Sequence, residues 1–394
     1  MKQFQREVTA FQQGSAICQA AATNGVFPPI LASRYPHDAY ERPTLDSVRD
    51  DITTLPELLG EAGYATGAFL ASNPYLGKWA DDFDAFWNDG MRSGAEGENR
   101  SQYTRLNQLW NLVRLEPRVT TTDVARRATE WFEEAGQPRF LWLHLMDLHG
   151  PYYPGLRRGM SVGLLRSYWS VVQHSRHGME VSERVRETIR RLYWQCVDRL
   201  DRQLARVLER LPADATVIVV ADHGEELHHG HIGHARLYDE CVRVPFYAKN
   251  LQPAVGETPI RQLDLAPTIA DGIGLDSPDG WTGEAHDGTH RDSVMVNHSF
   301  SEGEERVYTG LRTADAKLIQ THDETGQVID TELYDLVADP DERTPVSSET
   351  PRREQLAQRL SAFLTREGVI DAHLSSRTSV TDSVEQRLEE LGYR

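Results

Sequence analysis

The stretch from Val217 to His234 constrains the fold of this chain more than any other. It begins with four apolar, mostly β-branched residues, Val217–Val220, which predict a buried strand of a parallel sheet. The strand is followed by Asp222 and His223, a carboxylate and an imidazole at the point where the chain leaves the sheet. Ligands of open α/β sheets bind outside the carboxyl ends of the strands, so we expect a reactive site here.

Histidines and glycines alternate in the loop that follows this strand. The histidines stand at positions 228, 229, 231 and 234, and Gly230 and Gly233 lie between them. Carboxylate and neutral imidazole are both ligands for divalent metal ions, and glycine allows a loop to fold back over such an ion. The pattern therefore predicts that Asp222 and His223 bind a metal. A solvated, histidine-rich turn is the alternative, which the preceding buried strand makes less favourable.

The composition indicates a globular protein with an acidic surface. The chain has 394 residues with 39% hydrophobic content, enough for one large α/β domain and a smaller one. Its net charge is −18, and only four of the 42 basic residues are lysines. Such a surface is typical of proteins from very salty cytoplasm, where salt screens self-repulsion. It argues against charge-driven binding of nucleic acid or of anionic membranes.

Cysteine usage and hydropathy point to a soluble cytoplasmic protein. The three cysteines, Cys18, Cys196 and Cys241, lie far apart in the sequence, so neither a disulfide framework nor a zinc knuckle is indicated. No apolar run is long enough for a membrane span, and the N-terminus lacks a signal-peptide pattern.

Several motifs of the chain resemble the sulfatase family of the alkaline phosphatase superfamily. The matching residues are Ala-Asp-His-Gly-Glu-Glu-Leu at 221–227, the stretch 229–240 and Arg-Val-Pro-Phe at 243–246. The resemblance implies an alkaline-phosphatase-like mixed sheet flanked by helices, with a smaller C-terminal α+β subdomain. It also implies a metal-dependent hydrolase of sulfate or phosphate esters acting on a small anionic ester.

The nucleophile segment of that family resembles residues 20–36, which end in a similar Arg-Tyr-Pro. Alignment on these three residues puts Thr23 at the nucleophile position. The family's Cys or Ser, its Pro and its Arg are replaced by Thr23, Gly25 and Phe27, so we expect no formylglycine. Threonine is a nucleophile elsewhere in the superfamily. The alternative is that Thr23 only caps the helix after it.

The family's first strand, whose final Asp is a metal ligand, has no counterpart in the sequence, which begins at Met1-Lys-Gln-Phe. The resemblance thus predicts an N-terminally incomplete catalytic domain, from a misplaced start codon or in a degraded paralogue.

A second motif, Met-Asp-x-His-Gly-Pro-Tyr at 146–152, resembles the substrate-histidine motif of the family. On this match His149 contacts or protonates an ester oxygen and Asp147 orients the loop. His144, inside the preceding strand, is expected to be a satisfied core histidine. Asn73, which follows another predicted strand, is a candidate substrate contact.

His234 falls where relatives place a lysine against the reacting oxygens, and His229 is a weaker neighbour. The predicted domains are 1–290 (catalytic), 291–370 (C-terminal subdomain) and 371–394 (a charged helical tail). The predicted site thus has three groups, listed here: catalytic Thr23, His149 and His234; substrate-binding Asn73, Asp147 and His229; metal-binding Asp222 and His223.

Two hypotheses remain open from the sequence. The first is a hydrolase with one divalent ion, calcium in the first place and manganese or zinc as alternatives, in which Thr23 shifts the balance toward phosphate or phosphonate esters. The second is a catalytically dead relative that binds anionic glycans or proteins.

Overall fold

The computed structural model describes Phe4 and residues 11–42, 47–88, 111–117, 119–177, 181–230, 233–252, 256, 258–301, 304–346 and 350–375. In chain order, its strands and α-helices are β1 (Gln12–Ile17), α1 (Thr23–Ala32), α2 (Pro36–Ala39), α3 (Leu55–Glu61), β2 (Ala65–Leu70), β3 (Ala85–Trp87), α4 (Thr121–Glu134), β4 (Arg139–His144), α5 (Leu156–Val162), α6 (Leu164–His177), α7 (Glu183–Leu208), β5 (Val217–Val220), α8 (Asp239–Val242), β6 (Arg243–Lys249), β7 (Ile260–Arg261), α9 (Leu265–Gly272), β8 (Ser293–Ser301), β9 (Glu304–Arg312), β10 (Ala316–His322), β11 (Val328–Asp335), α10 (Pro351–Glu367) and α11 (Val369–Ser375).

The chain forms two compact units. Among the described residues, unit 1 comprises Phe4 and those within 56–213, and unit 2 comprises those within 11–55 and 214–375. The domain boundaries at residues 290 and 370 remain a prediction. Most of the predicted tail, residues 376–394, lies outside the described residues.

Unit 1 is built on a parallel sheet in the strand order β3-β2-β4. Helix α4 packs on it through Val124 and Ala128, which recur at helical spacing and are buried against Phe69. A capping box between Thr120 and Asp123 fixes where α4 begins. Helix α4 thereby supports the strand that precedes His149.

Unit 2 contains a mixed sheet in the order β5-β6-β1-β7. Strand β5, predicted to be a buried strand of a parallel sheet, pairs antiparallel with β6, and its four side chains are only half-buried. That part of the prediction was wrong. A β-branched apolar run indicates a strand but carries no information on the direction of its neighbour.

The C-terminal part of unit 2 is an antiparallel sheet in the order β11-β10-β9-β8. Helix α10 covers it, with Leu356, Leu360 and Leu364 on one face packed against Leu318 and Leu333 of the sheet. The i, i+4, i+8 spacing of these leucines is what makes the helix amphipathic. This is the smaller α+β element that the sequence predicts.

Across the described ranges, none of the helices combines the length and the apolar character that crossing a membrane requires.

Candidate active site

Thr23, Asp222 and His223 meet in unit 2. Thr23 Oγ1 lies 3.2 Å from Asp222 Oδ2 and 3.4 Å from His223 Nε2. Asp222 Oδ2 and His223 Nε2 are 3.5 Å apart. The two residues follow β5 directly, whereas Thr23 is the first residue of α1. The structure therefore brings together a hydroxyl, a carboxylate and an imidazole that the sequence analysis assigned to one site.

The geometry at α1 excludes the alternative role of Thr23. The N-cap position belongs to Ala22, and no side chain caps the helix. The Thr23 hydroxyl, buried to 6% exposure, donates instead to Asp222. Thr23 thus contributes an oxygen to the cluster rather than to the backbone of its own helix.

The backbone fixes the tautomer of His223. Its Nδ1 lies 2.9 Å from the carbonyl oxygen of Gly224, which can only accept, so Nδ1 carries the hydrogen. Burial lowers the pKa of His223, and neighbouring His234 acts in the same direction, against the opposing charge of Asp222. The ring is therefore neutral near pH 7, and its Nε2 presents a lone pair toward Thr23.

His234 has the opposite electrostatic character. Its ring centroid lies 4.2 Å from that of His223, and its Nδ1 lies 3.7 Å from Glu225 Oε1. Burial disfavours the protonated ring, but the carboxylates of Glu225 and Asp222 outweigh it and raise the pKa of His234. Two adjacent imidazoles, one favoured as a neutral donor of a lone pair and one as a cation, suit acid–base or charge-stabilising chemistry. The sequence motifs did not single out Glu225, although its place two residues after His223 was the available signal.

The turn that carries Asp222 and His223 is held tightly by its neighbours. The Cys18 thiol donates to the carbonyl of Asp222 over 3.1 Å, and burial raises the pKa of that thiol, so it stays protonated. The Gly224 amide donates to the backbone carbonyl of Cys241 over 2.7 Å. A Cβ at Gly224 would meet the carbonyl oxygen of Glu240 at 2.1 Å. Only glycine allows this approach.

His229 is fully engaged in the structure. Its Nδ1 bonds to the Glu240 carboxylate, its Nε2 lies 3.0 Å from the Glu342 carbonyl oxygen, and its ring stacks on Tyr238 at a centroid distance of 4.0 Å. The hydrogen bond that His229 donates to Glu240 raises the pKa of His229, against the effect of partial burial. Because both ring nitrogens have partners, this geometry favours a role in fixing the loop over direct substrate contact.

The second group of predicted residues lies in unit 1, around the end of β4. His149 donates through Nδ1 to the Gly150 carbonyl over 2.5 Å, which fixes the orientation of its ring. Asp147 accepts hydrogen bonds from the Thr121 amide at 3.0 Å and from its hydroxyl at 2.6 Å. Burial raises the pKa of Asp147, against the hydrogen bonds from Thr121 and the charge of Arg199.

Asn73 is buried in the same unit. Its Nδ2 lies 3.2 Å from His144 Nε2, and its Oδ1 accepts from the Tyr75 amide. His144 is thus the satisfied core histidine that the sequence predicts. The polar atoms of Asn73 and Asp147 bond to other protein groups. These contacts hold the segment that leads to His149.

Comparison with known proteins decides the family. The sulfatase family model matches residues 1–275, more than half of the chain. The chain belongs to the sulfatase family. This assignment confirms the resemblance found in the sequence.

Curated relatives match this chain over a shorter stretch than the family model does. Phosphopentomutases of Clostridium perfringens are 35% identical over 98 residues, which is 24% of this chain and 23% of the relative. The match thus spans about a quarter of the length of those proteins.

Solved structures with the same fold cover almost the whole of this chain. A protein solved with its substrate D-glucosamine-2-N,6-O-disulfate superposes with a TM-score of 0.67 at 15% identity, over 96% of this chain and 94% of its own. A putative sulfatase from Bacteroides thetaiotaomicron gives 0.63 at 17% identity, over 93% and 87%. The phosphonate monoester hydrolase of Silicibacter pomeroyi gives 0.59 at 16% identity, over 94% and 91%. The predicted alkaline-phosphatase-like α/β fold is confirmed.

Proposed function

We propose that this protein is a metal-dependent hydrolase of sulfate monoesters that uses Thr23 as its nucleophile. The observation that carries the proposal is the approach of Thr23 Oγ1 to both Asp222 Oδ2 and His223 Nε2. A hydroxyl nucleophile is activated by an adjacent base or by coordination to a metal, and these two partners offer either route.

The donor set suits a divalent ion in part. A carboxylate oxygen, an imidazole lone pair and a hydroxyl oxygen converge at Asp222, His223 and Thr23, and all three are ligand types for calcium, manganese or zinc. Within the described part of the chain, however, no group of three or more His, Cys, Asp or Glu could hold an ion. Asp222 and His223 would thus be its protein ligands beside Thr23. A bound ion would supply Lewis-acid polarisation of the ester oxygens and lower the pKa of the hydroxyl.

The proposed reaction needs two transfers. Thr23 Oγ1 attacks sulfur and forms a threonine sulfate, the bond between sulfur and the ester oxygen breaks, and the hydroxyl proton passes to Asp222. Water then hydrolyses the threonine sulfate and restores the hydroxyl. His234, whose pKa is raised by the carboxylates of Glu225 and Asp222, stabilises negative charge on the transferred group when its ring is protonated.

His149 is proposed to hydrogen-bond or protonate the oxygen of the leaving alcohol. The sequence motif supports this role, and the hydrogen bond from Nδ1 to Gly150 supports it further by directing Nε2 away from the backbone. Asn73 and Asp147 are proposed to hold the His149 segment in place, and His229 to hold its own loop, because their polar atoms already bond to protein groups.

Hydrolysis of 4-nitrophenyl sulfate tests the proposal, with 4-nitrophenyl phosphate and phenyl phosphonate as alternative substrates. The acidic composition calls for assays in high salt, with calcium, manganese or zinc added singly. Asp222→Asn should abolish turnover, whereas Asp330→Asn, a change at an exposed aspartate of β11, should leave it unaltered. An Asp222→Asn enzyme as active as the wild type would refute the assignment. Binding of a sulfated glycan without hydrolysis of any ester would favour the dead relative.

A further inference from the structure

We propose that two buried carboxamides, Gln262 and Asn297, are positioning residues that hold together the chain segments carrying Thr23, Asp222 and His234. The inference rests on the proposed function for its catalytic consequence. It concerns residues outside the motifs of the sequence, at positions that the reaction itself does not use.

Gln262 clamps the turn after β5. It lies in a short 3₁₀ turn after β7, and its Nε2 donates to the Ala221 carbonyl over 3.0 Å and to the Asp222 carbonyl over 2.6 Å. The β5–β6 ladder ends at Val220, so these carbonyls lie just beyond the sheet. Gln262 thus fixes the backbone for two residues beyond the end of β5. The second of these is Asp222, whose side chain bonds to Thr23.

The burial of Gln262 argues for a role beyond stability. The side chain is completely buried, and among the described residues its Oε1 has no hydrogen-bond partner. Leaving a buried acceptor unpaired is unfavourable because it loses its hydrogen bonds to water, and turning the amide over would set Oε1 against two carbonyl oxygens. Residues that break the rule of polar satisfaction are expected at functional sites. Here the retained donors act on the backbone of Asp222.

Asn297 links the other two segments of the site. Its Oδ1 accepts from the Ala21 amide at 3.2 Å, and its Nδ2 donates to the Ala235 carbonyl at 2.7 Å. Ala21 lies two residues before Thr23, and Ala235 follows His234. One side chain of β8, only 4% exposed, therefore sets the spacing between the nucleophile segment and the histidine loop.

The C-terminal sheet gives Asn297 a rigid base. Residue 297 pairs with Tyr308 of β9 in a nine-residue ladder, and the adjacent Val296 amide donates to the Gln19 carbonyl over 2.8 Å. A site that must be held to a fraction of an ångström needs supporting groups whose own positions are locked. The smaller subdomain is thereby part of the catalytic apparatus.

Asn297→Leu removes both hydrogen bonds at nearly constant volume. We expect kcat for 4-nitrophenyl sulfate to fall about 10- to 100-fold, as for other groups that orient catalytic residues, with a smaller loss of Mn²⁺ binding than in a variant that disturbs the turn of Asp222 and His223. Asn297→Asp, which keeps the acceptor for the Ala21 amide, should lose less. Thr309→Val, a buried polar residue of β9 that bonds to His322, is the matched control and should keep kcat.

Gln262→Met removes the donors to Ala221 and Asp222. Its expected signature differs from that of Asn297→Leu: Mn²⁺ binding, measured by electron paramagnetic resonance on the metal and protein alone, weakens about 10- to 100-fold along with kcat. Gln262→Glu should behave the same way, since an ionised carboxylate has no hydrogen to donate. Thermal melting of every variant shows which losses come from unfolding.

Folded Gln262→Met and Asn297→Leu proteins with wild-type kcat and wild-type Mn²⁺ binding would overturn the inference. A kcat loss in Thr309→Val equal to that in Asn297→Leu would also overturn it, since the effect would then be general destabilisation. If the wild type hydrolyses no ester, the proposed function fails instead. Crystal structures then decide the inference: an unchanged Thr23–Asp222 distance in both variants refutes it, and a distance longer by more than about 0.5 Å, the tolerance of productive geometry, supports it.

Discussion

The hydroxyl of Thr23 donates a 3.2 Å hydrogen bond to the carboxylate of Asp222, across 199 residues of sequence. A threonine at the start of a helix most often serves the backbone of that helix. Here the N-cap is Ala22, which leaves the hydroxyl of Thr23 for the carboxylate. The contact joins helix α1 to the turn after β5. It places the Thr23 hydroxyl beside the Asp222 carboxylate in unit 2.

Removal of the Thr23 hydroxyl should abolish turnover. For Thr23→Ala we expect kcat to fall by about 10³-fold or more, because a missing nucleophile removes the covalent route altogether. Thr23→Ser keeps an oxygen at the same position and should retain measurable activity. Mass spectrometry of rapidly quenched enzyme should show a sulfo group on residue 23 of the wild type. A Thr23→Ala enzyme with wild-type kcat would contradict the role.

The close approach at Gly224 predicts an asymmetry between two glycine substitutions. Gly224→Ala sets a Cβ against the Glu240 carbonyl oxygen, so the turn with Asp222 and His223 must move. We expect a loss of stability of about 1–3 kcal/mol, as for other overpacked sites, together with loss of turnover. Gly60→Ala, in helix α3 with nothing within 4 Å, should stabilise by about 0.4–1 kcal/mol. Denaturant unfolding and 4-nitrophenyl sulfate assays compare the two, and equal effects would contradict the close-packing argument.

A buried ion cluster in the C-terminal sheet predicts a large stability effect. Lys317, completely buried, places Nζ 2.7 Å from Asp239 Oδ1 and 2.6 Å from Glu342 Oε1. Burial disfavours the ionised form of Asp239, but the charges of Lys317 and Arg312 outweigh it and lower the pKa of that carboxyl.

Lys317→Met leaves two carboxyl groups without their shared cation, so we expect a loss of about 3–5 kcal/mol in the free energy of unfolding. Lys249→Met, at a half-buried lysine of β6, is the control and should stay within about 0.5 kcal/mol. A Lys317→Met protein as stable as the control would show that the cluster tolerates the loss of its cation.

Two buried histidines predict acid destabilisation. Burial, with help from His298 and then His37, lowers the pKa of His373 to about 3. Burial, with help from Arg42, lowers the pKa of His37 to about 4. Both rings are neutral in the folded protein, whereas in the unfolded chain they bind protons below about pH 6.5.

The unfolded state therefore binds more protons in this range, and stability falls as pH decreases from about 6.5 toward 4, by up to about 1.4 kcal/mol per pH unit for each group. His373→Leu should reduce the pH slope of the unfolding free energy by the share of one group. His228→Asn, at an exposed position, should not change it. An unaltered slope in His373→Leu would show that the ring is not buried neutral.

The order in which helices and strands follow one another could be predicted from the sequence. Helix α4 has apolar residues at helical spacing and capping residues at its start, and the run Val217–Val220 is a strand as predicted. Such local patterns report burial and period along one segment, so they survive in any fold that buries the same face. The motifs around Asp222 and His149 also indicated the sulfatase family, because the residues of each motif lie close together in sequence.

The sequence by itself determined the family, the strand that ends at Asp222 and the candidates Thr23 and His149. Only the tertiary structure decided that β5 runs antiparallel to β6, that Thr23 bonds to Asp222 and that His229 is held by Glu240. The hydrogen bonds of the Gln262 and Asn297 side-chain amides were likewise decided only by the tertiary structure. The physical reason is that a hydrogen bond between distant segments depends on how sheets and helices pack, and no local periodicity encodes which donor will meet which acceptor.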